Sequence, residues 1–140
     1  MPSSTALVVT LPGKRRVDAL VGPYRVQTDQ PRDNGGEGTA PSPFELFLAS
    51  LGTCAGIFAQ GFCARRGIPV EGIQIQQSVD FDERGVLRRV DLEIELPPDF
   101  PEHYREPLVR AVEQCSVKRA IQARPTFTVS AVANGKLKTG

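Results

Sequence analysis

Three cysteines, Cys54, Cys63 and Cys115, are the side chains of this 140-residue chain best suited to chemistry. An odd number without C-x-x-C spacing argues against a disulfide scaffold or a zinc knuckle and leaves reactive or buried thiols. Cys54 sits near the middle of a segment, Leu46 to Ala64, that carries no charged residue, with Phe47, Leu51 and Phe58 on the same helical face. A buried thiol is expected there. Cys63, nine residues on, points to the opposite side of such a helix, about 13.5 Å further along its axis, so the two cannot pair within it. Beside the helix end, Cys63 reads as a core residue. Cys115 falls at a helix break before Val117-Lys118-Arg119, where a new helix N-terminus and two cations favour a thiolate. Electrostatically Cys115 is the more activated thiol, and the residues alone leave open whether Cys54 or Cys115 attacks first.

The other chemical groups offer less. His103, the only histidine, stands in an acidic, proline-flanked helix start and is poorly placed to serve as the base of a Cys-His pair. Carboxylates are scattered and no H-E-x-x-H run exists, so no metal is expected. Gly35-Gly36-Glu37-Gly38 precedes a helix but lacks a Gly-Lys-Ser/Thr ending, and Pro41 takes the place of a third glycine. It reads as a flexible loop that binds no nucleotide cofactor. A cation for Cys54 has its best source in Lys14-Arg15-Arg16, which is equally well a solvated turn.

Several elements must position these groups. Ala6 to Leu11, Arg16 to Val21 and Tyr24 to Thr28 read as a three-stranded antiparallel meander, broken at Pro12-Gly13 and Gly22-Pro23. The Gly, Pro, Asn and Asp residues from Asp29 to Ser42 form a long loop. Ser42-Pro43-Phe44-Glu45 then supplies an N-cap serine, a proline at the first helical position and a glutamate three residues after the cap. The helix that follows approaches the length needed to cross a bilayer. However, Ser50, Gly52, Thr53, Gly56, Gln60 and Gly61 dilute its apolarity, and Arg65-Arg66-Gly67 closes it as a soluble helix ends. Uncharged on every side, it must be covered all round by protein, and a second subunit is expected to cover part of it. Ile73 to Asp82 and Val86 to Leu96 read as a hairpin, Pro101 to Gln114 as a second helix, Val117 to Ala123 as further helical turns, and Thr126 to Ala133 as a last strand.

Residues 1–140 thus make one α+β domain with no internal repeat or linker. The 17 basic and 16 acidic residues nearly cancel and form no stripe, so nucleic acid is not an expected partner. Met1-Pro2-Ser3-Ser4-Thr5 has no basic run leading into an apolar stretch. A cytoplasmic protein with reduced thiols is expected.

Pro41-Ser42-Pro43-Phe44-Glu45-Leu46-Phe47-Leu48-Ala49-Ser50-Leu51-Gly52-Thr53-Cys54 and Ala111-Val112-Glu113-Gln114-Cys115-Ser116-Val117 resemble the two cysteine motifs of the OsmC/Ohr family. The order of elements agrees over nearly the whole chain. The resemblance implies an OsmC-like fold, with antiparallel sheets packed around a long central helix in an intertwined homodimer. It further implies that Cys54 is the peroxidatic thiol of a peroxidase acting on organic hydroperoxides, that Cys115 resolves it as a disulfide, and that an external dithiol such as a lipoyl group restores the pair, with no cofactor. In the best-studied branches an arginine from the first strands and a glutamate just after the helix-start proline assist. Here Phe44 follows Pro43 and the glutamate comes one later, as Glu45, while Arg15 or Arg16 is the nearest match for the arginine. Pro-Phe-Glu-Leu is closer to the general OsmC-like branch than to the dedicated organic hydroperoxide resistance proteins. That departure keeps a rival in play, a redox-responsive or small-ligand-binding dimer with little turnover.

Overall fold

The computed structural model describes residues 7–133. Its chain order is β1 (Val8–Gly13), β2 (Arg16–Val21), β3 (Tyr24–Thr28), a 3-10 turn at Arg32–Asn34, α1 (Pro43–Arg65), β4 (Gln74–Phe81), β5 (Leu87–Glu95), a second 3-10 turn at Glu102–Tyr104, α2 (Arg105–Val112) and α3 (Ser116–Gln122). The strands form two antiparallel sheets, β1-β2-β3 and β4-β5. This is the expected α+β order, except that Ala6 lies outside the described residues and the first strand runs on to Gly13 through a register shift after Thr10.

The start of α1 follows its sequence signals. Ser42 Oγ accepts from the Glu45 backbone N–H and the Glu45 carboxylate accepts from the Ser42 backbone N–H at 2.9 Å, closing a capping box around Pro43. At the other end Gly67, with φ of 65°, lets the Ile68 N–H turn back to the Cys63 carbonyl. The Arg66 guanidinium lies 3.6 Å above the Phe62 ring and covers that end of the core.

The core sits between α1, α2 and the β4-β5 hairpin. Leu51, Ala55 and Ala59, each four residues apart, make the inward stripe of α1 with Phe62 and Cys63. The alanines let α2 come close with Leu108 and Val112. The hairpin alternates: Ile75, Gln77 and Val79 pair with Ile94, Leu92 and Val90 on the inner side, and Gln74, Gln76, Asp91 and Glu93 face outward. Gln77, the polar residue in that inner row, donates to the Leu48 carbonyl at 3.0 Å. It fits because Gly52 leaves room, a β-carbon there meeting Gln77 Oε1 at 2.7 Å.

Two expectations are corrected here. Thr126 to Ala133 is not a strand but an exposed segment without regular structure, with Phe127 and Val129 bare. Its alternation is that of a strand, but no sheet edge among the described residues pairs with it, and unpaired backbone groups do not make a strand. The second helix also begins later than Pro101, because Glu102–Tyr104 forms a 3-10 turn before the α-helix sets in at Arg105.

The loop from Asp29 to Ser42, whose Gly35-Gly36-Glu37-Gly38 run reads as flexible, is tied by hydrogen bonds. Asp29 is buried, and its carboxylate accepts from the Thr39 hydroxyl, the Thr39 N–H and the Gln30 N–H. Gly36 is pressed so closely on the Gln30 carbonyl that no side chain fits. The bond from the Thr39 hydroxyl, then those from the Thr39 and Gln30 amides, hold the Asp29 carboxyl at about 2, against the pull of burial. Because the folded value lies below the unfolded one, this stabilisation is present above about pH 4 and is lost as pH falls through about 2. Asp29→Asn is therefore expected to lower the melting temperature at neutral pH, and its deficit relative to the parent protein to shrink between those two pH values. Thermal melts of both proteins across that range check it.

Candidate functional site

Between α2 and α3 the chain kinks: Gln114 N–H returns to the Ala111 carbonyl, Cys115 N–H to the Val112 carbonyl, and Cys115 becomes the N-cap of α3. The kink sets the first residues of α3 against the middle of α1. Ser116 Oγ lies 3.5 Å from Cys54 Sγ, although 62 residues separate them in sequence. Hydrogen bonding from the Ser116 hydroxyl is the main influence that holds the Cys54 thiol at about 7, down from 9.0, with the Val117 amide, the Cys115 side chain and the Ser116 amide adding to it and burial opposing.

The start of α3 favours the Cys54 thiolate through the amides of Ser116 and Val117. An N-cap residue is followed by amides with no intrahelical acceptor. Cys115 makes no side-chain capping bond to them, and the amides of Ser116 and Val117 act on Cys54 instead. Lys118, expected near Cys115, turns back so that Nζ donates to the Glu113 carbonyl at 3.4 Å. Cys115 is buried, and Cys54, expected to be buried, is only half so. Cys63 is fully buried in the core, where burial raises its thiol against the opposing charge of Arg66.

The structure thus brings Cys54 and Cys115 together but not the other candidates. Glu45 is engaged in the capping box. The Arg15 side chain lies over Gly35, its Nε 3.2 Å from where a β-carbon would stand, and Lys14 pairs with Glu37 at 2.9 Å. Arg16 is half-buried in β2. Among the described residues no hydrogen bond or ion pair links Arg15, Arg16 or Glu45 to Cys54, and no cation contributes to its shifted thiol. Phe44 packs against Phe47 and Phe81, with ring centroids 5.4 and 5.9 Å away, so an aromatic cluster occupies the first turn of α1. His103 lies against the Tyr104 ring. Among the described residues no group of three His, Cys, Asp or Glu side chains could hold a metal ion.

Beside Cys115 is an open cavity of about 860 Å³, with apolar sides from Phe47, Leu51, Leu92, Leu108 and Val112 and with charged side chains, Arg88, Arg89, Arg105, Glu113 and Lys118, also in its wall. Ser116 was missed from sequence because only the kink brings its hydroxyl to a sulfur on another helix. The sole hint was its place beside a cysteine at a helix break.

Within an α+β fold the structure thus sets Ser116 and Cys115 against Cys54, next to an open cavity that Cys115 lines. A family model described as OsmC-like protein matches residues 36–130, and the chain belongs to that family. Its fold is similar to a Psychrobacter arcticus 273-4 structure described as an osmotic stress induced and detoxification response protein, at TM-score 0.72 and 21% identity over 86% of this chain and 90% of that one. An OsmC like protein from Mycoplasma pneumoniae matches at TM-score 0.69 and 14% identity, over 89% and 91% of the two chains. An organic hydroperoxide resistance protein OsmC from Legionella pneumophila matches at 0.55 and 22%, over 85% and 89%. No curated protein matches the chain.

The site predicts an order of thiol reactivity. Under native conditions at neutral pH, iodoacetamide is expected to label Cys54 first, with Cys115 slower and Cys63 protected until the chain unfolds. Peptide mass spectrometry over a time course reads that order directly.

Proposed function

We propose that the protein is a thiol-dependent peroxidase that reduces organic hydroperoxides as a homodimer in a reducing, cytoplasmic setting. The observation that carries this reading is the Cys54 thiol, held at about 7 beside Ser116 and Cys115, the latter lining an open, largely apolar cavity. Near half of Cys54 is then thiolate at neutral pH, and the thiolate is the nucleophile. The name of the Legionella pneumophila neighbour supports the same substrate class.

In this mechanism the Cys54 thiolate attacks the terminal oxygen of ROOH. The S–O bond forms, the O–O bond breaks, and the departing alkoxide takes a proton from water to leave as ROH. Cys54 is oxidised to the sulfenic acid as the peroxide is reduced. Cys115 attacks that sulfur, the S–S bond forms, and the hydroxyl leaves as water with the Cys115 proton. An external dithiol such as dihydrolipoamide returns both cysteines to thiols and becomes a disulfide itself. Arg15 or Arg16 as an assisting cation belongs to the proposal, since neither is bonded to Cys54 within the chain.

The homodimer rests on surfaces a lone chain leaves bare. Ala49, Thr53, Ile57, Gln60 and Ala64 form an exposed, uncharged stripe along α1, and β1 is exposed along its whole length. Light scattering at micromolar concentration is expected to report twice the chain mass. A monomer would remove the homodimer from the proposal.

The rival, a redox-responsive or ligand-binding dimer, is favoured by Phe44 where related proteins carry an acid. Cumene hydroperoxide and hydrogen peroxide, assayed in parallel with dihydrolipoamide, separate the two. Faster consumption of cumene hydroperoxide is expected, abolished by Cys54→Ser and retained by Cys63→Ser, with non-reducing peptide maps linking Cys54 to Cys115. Absence of turnover with both peroxides would favour the rival.

A further inference from the structure

Ionisation of Cys54 settles which way its contact with Ser116 must run. In the neutral state either group can donate across the 3.5 Å between Sγ and Oγ. A thiolate has no proton to give, so once Cys54 ionises Ser116 is the donor. Serine hydroxyls near a helix start ordinarily bond to local backbone. Among the described residues Ser116 Oγ has a different partner, a sulfur on another helix. Among the described residues no cation takes part in stabilising that sulfur, so donors carry the load, and Ser116 supplies a side chain among them.

We propose that Ser116 is a catalytic residue of this protein, its hydroxyl donating to the Cys54 sulfur and holding it as the thiolate that reacts with peroxide. This rests on Cys54 being the reacting thiol. The consequence is an activation device that, among the described residues, is built from uncharged donors. It also explains how α1, uncharged from Leu46 to Ala64, can bear an acidic thiol in its middle.

The test is the pH profile of Cys54 alkylation by iodoacetamide, followed by mass spectrometry of the Cys54 peptide in the full chain. The parent protein is expected to show a midpoint near 7. Ser116→Ala is expected to move it up by about one pH unit, the scale of a hydrogen bond to an ionised group, and Ser116→Thr to restore it. The midpoint is the reading to use, because a thiolate of higher pKa is intrinsically more nucleophilic. At neutral pH the roughly fivefold smaller thiolate fraction is offset to a net loss of about twofold. Ser116→Gly provides a second hydroxyl-free variant, and matched melting curves separate loss of the donor from loss of the fold. Equal midpoints in the parent, alanine and glycine proteins would overturn the proposal. The readout needs no peroxide: a Ser116-dependent midpoint without turnover would leave Ser116 as the donor to the Cys54 thiolate and sink its catalytic role together with the peroxidase reading, and turnover with a Ser116-independent midpoint would sink the Ser116 proposal alone.

Discussion

The close approach of α2 to α1 is the contact on which the site depends. It is possible because Ala55 and Ala59 present almost no side chain where Leu108 and Val112 come in, and all four are buried. A larger residue at Ala55 would push α2 outward, and interiors packed at crystal-like density have little slack to absorb it. Since Cys115 follows α2 by a tight turn, the same contact fixes where α3 begins. The distance between Ser116 and Cys54 is therefore a product of core packing.

A second constraint acts from the other side of α1. The loop from Asp29 to Ser42 is organised around a buried carboxylate and one backbone contact too close for a side chain, Gly36 on the Gln30 carbonyl. It delivers Ser42 to the cap of α1 and holds Arg15 and Lys14 of the β1-β2 turn against itself through Gly35 and Glu37. The meander is thereby attached to the helix start through this loop. It contributes no residue to the core cluster of the described chain.

Much of the apolar surface faces outward as a result. By length and composition α1 could cross a bilayer, yet it presents Leu51, Ala55, Ala59 and Phe62 to a protein core and keeps an uncharged stripe on the far side. The outward apolar groups of β1 and the bare Phe127 and Val129 belong with that stripe under the proposed dimer, because a second copy supplies both the cover and the strand edges that one chain lacks.

Local chemistry was legible in the sequence wherever a few neighbouring residues determine the outcome. The Ser42-Pro43-Glu45 cap, the Gly67 stop, the alternating hairpin around Asp82 to Gly85, and the buried character of Cys63 all appear where the residues placed them. These features depend on hydrogen bonds and periodicities that reach no further than four residues or one strand pair. What the sequence could not show was the contact between Ser116 and Cys54, because it turns on a kink that carries the α3 amides and the Ser116 hydroxyl to a sulfur on another helix. The tertiary structure also decided that the glycine-rich loop is tied to Asp29, since the buried carboxylate gathers its donors across ten positions. It decided, too, that Thr126 to Ala133 is no strand within one chain: alternation shows that a segment suits a sheet, but only a partner edge makes it one.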